Sequence, residues 1–193
     1  MSNIRFWLPL SVFLLLNACG AQPSLGKPKA TAPQELVLQG ATTVSTPLPK
    51  DPPASCPITL PSDVPFTPPT PYPAKPPSAY VGEFWYGTPE LWTMLSEDGT
   101  WDSLPLTSDG YTQKVFWWRQ GYDMSAEPNP NLSVIGKRLD APALPLLASS
   151  ATNARADFGE AMLVGVEIPT PGCWEITGEY NGYELSFVVW IAP

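Results

Sequence analysis

From residue 161 onward, hydrophobic and polar positions fall into a rhythm of strands and turns. Ala161 to Ile168 is an apolar run of strand length, stopped by the turn cluster Pro169-Thr170-Pro171-Gly172. Cys173 to Tyr180 then alternates, with Trp174, Ile176 and Tyr180 on one face and Glu175, Thr177 and Glu179 on the other. Asn181-Gly182 suits a two-residue type I′ turn, whose central residues both need positive φ. Beyond it Tyr183, Leu185, Phe187, Val189 and Ile191 line one face of a return strand. The pattern predicts a terminal β-hairpin.

Upstream, Glu83–Tyr86, Leu91–Leu95, Gln113–Arg119 and Leu132–Leu139 read as further short strands. Ser96-Glu97-Asp98-Gly99, Ser108-Asp109-Gly110 and Glu127-Pro128-Asn129-Pro130 supply turns between them. Nothing in this region keeps a helical period for three turns. Seven short strands in residues 80–193 predict an all-β fold, a two-sheet sandwich of immunoglobulin type, with a small barrel as the alternative. Residues 141–160 read as a long connection, a length that suits a lid or binding loop, although Leu144, Leu146 and Leu147 suggest that its first half packs down.

The N-terminal regions follow different physics. Residues 1–18 read as a signal peptide, with Arg5 as its positive end and Phe6 to Leu16 as its apolar stretch. As a helix that stretch spans about 16 Å, half the hydrocarbon core and too short to cross it. Residues 19–79 form a Pro-rich tether. Sixteen of residues 20–79 are proline, and such composition buries too little apolar surface to offset the entropy of ordering. Extended polyproline II between Cys19 and Cys56 would reach on the order of 110 Å. A Pro-rich recognition ligand is the competing reading. A boundary near Tyr80 is expected because charge and aromatics both change there: residues 80–193 carry fifteen acids, five bases and seven of the eight tryptophans. Cys56 can nevertheless pull residues 56–79 onto the domain.

The ending Leu16-Asn17-Ala18-Cys19 resembles the lipobox of bacterial lipoproteins, in which the cysteine thiol receives a diacylglycerol and becomes residue one. The resemblance implies lipidation of Cys19, and two or three acyl chains hold a protein stably on a membrane. Gly20 at the next position resembles lipoproteins that are not retained at an inner membrane. The competing reading is an ordinary signal peptide cut near Ala18 or Ala21. Farther on, Pro171-Gly172-Cys173-Trp174-Glu175-Ile176-Thr177-Gly178 and Glu184 to Val189 are similar to the C-terminal end of a group of bacterial lipoproteins. Phe84-Trp85-Tyr86-Gly87, Leu91-Trp92-Thr93, Val115 to Arg119 and Gly136 to Asp140 match the same group. This resemblance implies an extracytoplasmic immunoglobulin-like β domain, on the cell surface or outer membrane, and carries over no functional residue.

With Cys19 lipidated, Cys56 and Cys173 remain, and leftover cysteines of an exported protein usually pair. Two free thiols or a redox role are the alternatives, although neither cysteine has the close neighbour that redox chemistry needs.

Composition narrows the chemistry. The chain has no histidine, which excludes Ser-His-Asp and Cys-His catalysis, histidine-ligated zinc and a histidine pH switch. A net charge of −8 speaks against nucleic acid as a partner. No cofactor or metal motif is present, and Glu97-Asp98-Gly99 with Asp102 lacks the spacing of a calcium loop. Acids are abundant enough for a glycosidase pair, but their alternation reads as a solvated strand face. Tandem Trp117 and Trp118 must point to opposite faces of a strand, and Trp85 and Trp190 pose the same problem. These four form a candidate exposed platform for stacking on sugar rings, unless loops cover them. The sequence thus predicts a lipid-anchored, non-catalytic interaction domain whose partner is an envelope protein, with a glycan-binding module as the alternative.

Overall fold

The structure, a computed structural model, describes residues 47–77, 80–156 and 159–193. Among them all regular structure is β, in ten strands. These are β1 Glu83–Thr88, β2 Leu91–Ser96, β3 Thr100–Trp101, β4 Tyr111–Trp118, β5 Ser133–Arg138, β6 Leu147–Ala148, β7 Thr152–Ala156, β8 Gly159–Ile168, β9 Gly172–Tyr180 and β10 Tyr183–Ile191.

The strands form two sheets. One runs β1-β2-β4-β8-β6, with β7 also on β8, and the other runs β3-β10-β9-β5. The series β2-β4-β8-β6 and β5-β9-β10 reproduce the ABED and CFG sheets of an immunoglobulin sandwich. β3 adds to β10 in parallel. The expected sandwich is therefore the observed architecture.

Alternation builds the core. On β8 Met162, Val164, Val166 and Ile168 point inward, and on β4 Val115 and Trp117 do the same. They meet Trp174 and Ile176 of β9 and Phe187, Val189 and Ile191 of β10 in one cluster. Gly178 of β9 leaves room for the Trp117 indole, since a Cβ there would lie 2.5 Å from its Cη2. The β9–β10 turn has φ of 51° at Asn181 and 80° at Gly182, the two positive values a type I′ turn requires.

One expectation needs correction. Residues 141–160 are not one long loop but contain β6, β7 and the start of β8. These strands are held by backbone pairing to β8, which needs no apolar alternation, so their sequence shows none. Within this stretch Leu146 is buried, while Leu144 and Leu147 are exposed. The described residues of the Pro-rich stretch, from Pro47 onward, also pack against the sandwich, as the option of Cys56 pulling residues 56–79 onto the domain allows.

Candidate functional site

Residues 47–77 lie against the sandwich as a strap. Leu48 and Ile58 pack beside Cys56, Cys173, Trp190 and Ala192, and Cys56 is disulfide-bonded to Cys173. The Thr59 amide donates to Val188 O at 2.8 Å, and the Val188 amide donates to Thr59 Oγ1 at 2.9 Å. Trp190 Nε1–H donates to Lys50 O at 3.0 Å. The strap thus covers the β10 edge ahead of the two residues where β3 pairs. It then reaches the outer face of the other sheet, where Phe66 and Tyr72 rest on Trp92 with ring centroids 5.8 and 5.1 Å away. Trp85 Nε1–H donates to Pro73 O at 3.0 Å.

This strap overturns the tryptophan platform. Trp85, Trp117, Trp118 and Trp190 are each at most 2 % exposed. Trp117 faces the inter-sheet core, 5.8 Å from Phe187. Trp85 and Trp118 meet edge to face at 5.2 Å beneath the strap, and Trp190 lies under Lys50 and the disulfide. The alternation rule correctly sent Trp117 and Trp118 to opposite faces, but the outer face is a second apolar layer. Stacking on a sugar is closed to all four. Cys19 lies outside the described residues.

The other candidates resolve into structure. Asp98 Oδ1 accepts from the Thr100 amide at 2.9 Å, which is turn chemistry. Glu175 pairs with Lys137 at 2.6 Å. Arg138 grips Asp140 through Nε and Nη2 at 2.7 and 3.0 Å. The Arg138 hydrogen bond holds the Asp140 carboxyl below its usual range. Among the described residues no group of three Cys, Asp or Glu side chains is placed to hold a metal ion.

Polar chemistry gathers instead where β4 and β9 end. The loop from Arg119 to Leu132 is tied down by Tyr180, whose hydroxyl donates to Glu127, and by Tyr122, whose hydroxyl donates to Asn153. Asn153 Nδ2 donates to Glu127 O at 2.8 Å, and Glu160 Oε2 accepts from the Met124 amide at 2.8 Å. Burial, then the nearby Glu127 charge, pushes the Tyr122 hydroxyl up to about 12. The Arg119 guanidinium meets Glu127 at 3.3 Å and lies 5.5 Å above the Tyr180 ring.

Beside this network, Pro89, Glu90, Arg119, Gln120, Tyr180, Asn181 and Tyr183 enclose a pocket of about 220 Å³. Its parts come from three separate stretches of chain: the β1–β2 turn, the end of β4 and the β9–β10 turn. Sequence reading missed it, because no local pattern links positions 89, 119 and 183. The one available signal was the Asn181-Gly182 turn with a tyrosine on either side.

Two other recesses lie on the first sheet. A groove of about 560 Å³ crosses the outer face past Lys114, Leu147, Gly165 and Glu167. A slit of about 250 Å³ opens where β2 leaves β4, since their pairing stops at Thr93–Trp117. Glu83 lines the slit; its Oε2 is buried without a partner among the described residues, and burial raises its pKa. Comparison with known proteins yields no matching family model, no matching curated protein and no matching solved structure.

Proposed function

We propose that this chain is a lipid-anchored, extracytoplasmic binding domain that performs no chemistry of its own. Cys19 is its membrane attachment, and the residues between Cys19 and the strap are its tether. The partner is a component of the cell envelope. The observation that carries this reading is the Cys56–Cys173 disulfide, which closes the Pro-rich strap onto the last hairpin. A bond of that kind persists in oxidising compartments and is rare in reducing ones. The lipobox-like Leu16–Cys19 ending supplies the anchor.

The strap enters the sandwich beside Trp190, at the C-terminal end of β10. The nine residues of β10 span about 30 Å, and the β9–β10 turn lies at their far end. The test is incorporation of labelled palmitate by cells that express the chain. Label present in the native chain and lost in Cys19→Ala supports the anchor, whereas label that persists in Cys19→Ala, or never appears, overturns it.

A further inference from the structure

We propose that the pocket at the β9–β10 turn end is a carbohydrate site that receives one pyranose ring of a glycan. The proposal deepens the reading of an extracytoplasmic binding domain and rests on it for its biological setting, but its chemistry stands on the pocket itself.

A pyranose presents a flat array of C–H bonds on one face and vicinal hydroxyls around its rim. It is held by an apolar surface together with planar side chains whose two neighbouring polar atoms match two neighbouring hydroxyls. Both parts are present. Tyr183 is 52 % exposed, and with Pro89 it supplies the apolar surface. Arg119, Glu90, Gln120 and Asn181 supply the planar groups, with donors and acceptors both represented.

Arg119 lines the pocket, and its Nη2 is engaged by Glu127. The guanidinium is already fixed by Glu127 and the Tyr180 ring, so little conformational freedom is lost on binding. The walls are fixed as well: the Gln120 amide donates to Pro89 O at 2.8 Å, and Asn181 sits in a two-residue turn.

Charge selects the ligand class further. Glu127 offsets Arg119, and Glu90 adds a negative charge at the rim. The chain as a whole is acidic, at −8. An anionic group gains nothing in such surroundings, so the ligand is a neutral or N-acetylated sugar. The slit at Glu83 is less suitable, because core residues Trp101 and Val115 help to line it.

The test uses the full, oxidised chain, isotopically labelled and titrated in solution with three probes: cellobiose, mannobiose and N,N′-diacetylchitobiose. At least one probe should give saturable amide shifts at millimolar concentration or below, clustered at Glu90, Gln120, Asn181, Gly182 and Tyr183. Tyr183→Ala removes only a surface ring and should weaken that probe about tenfold while leaving the rest of the spectrum in place. Gln120→Ala should weaken it less. Absence of saturable shifts with all three probes overturns the proposal. So do shifts that map elsewhere, or unchanged affinity in Tyr183→Ala. Failure of palmitate labelling removes the anchor without affecting this titration, so the two readings fail separately.

Discussion

Two groups of tryptophans are buried in this molecule by different means. Trp101, Trp117 and Trp174 belong to the inter-sheet core, where strands from both sheets surround them. Trp85, Trp92, Trp118 and Trp190 point outward from their sheets, and Pro-rich strap residues help to cover them. The first group is buried by the sandwich in the ordinary way. For the second, the cover includes a segment whose composition, taken alone, would not fold. Proline suits that task. It fixes φ before folding, so less entropy is lost when the strap is laid down, and the segment needs few anchors. Those anchors are Ile58, Phe66 and Tyr72, together with the disulfide.

The largest expected effect comes from cutting the strap loose. Cys56→Ser, or reduction, opens a loop closed by a sequence separation of 117 and should cost about 5 kcal/mol by the chain-entropy relation. Urea unfolding measures the loss. Acrylamide quenching under native conditions should then rise for part of the tryptophan emission and leave the core part protected; a rise for all of it would erase the distinction. Next comes the inner group. Gly178→Ala places a methyl against the Trp117 ring and should cost about 1–3 kcal/mol, with no gain in quenching.

A smaller effect is expected at the strap's aromatic anchor. Tyr72→Ala removes the ring set edge-on to Trp92 and a half-buried side chain, for a loss of about 1–2 kcal/mol and a red shift in emission. An unchanged spectrum would mean that Trp92 is sealed without it. The smallest effect lies outside both groups and serves as a control. Burial raises the folded-state pKa of Glu83, so its ionisation opposes folding. The stabilisation is complete below the ordinary carboxylate pKa and is lost as pH rises through the raised value. Glu83→Gln should therefore be slightly more stable than the native chain near neutrality, and equally stable in acid.

Legibility followed the locality of the signal. The hairpin from Cys173 to Ile191 could be read because alternation and the Asn181-Gly182 turn lie within one short window. The disulfide was one of the pairings expected of Cys56 and Cys173, on the premise that Cys19 is otherwise engaged. β7 could not, because Thr152 to Ala156 pairs through its backbone and shows no apolar period. Residues 56–79 read as a tether unless Cys56 staples them to the domain, because Ile58, Phe66 and Tyr72 are sparse and nothing in the sequence says that an aromatic face is waiting for them. For the same reason tandem tryptophans suggested a platform: the alternation was legible, but the covering layer was not. The pocket at Arg119 exists only once three distant turns have met.

The position of the two bonded cysteines also has a biosynthetic consequence. Cys56 is made first, and Cys173 follows it by 117 residues, near the end of the chain. At about 5–20 residues per second, roughly 6–23 s pass before the partner thiol exists. Throughout that interval the Cys56 thiol has no Cys173 to bond to. A chain truncated anywhere before Cys173 can never close the bond, so the completed crosslink is a chemical record that synthesis has reached the final hairpin.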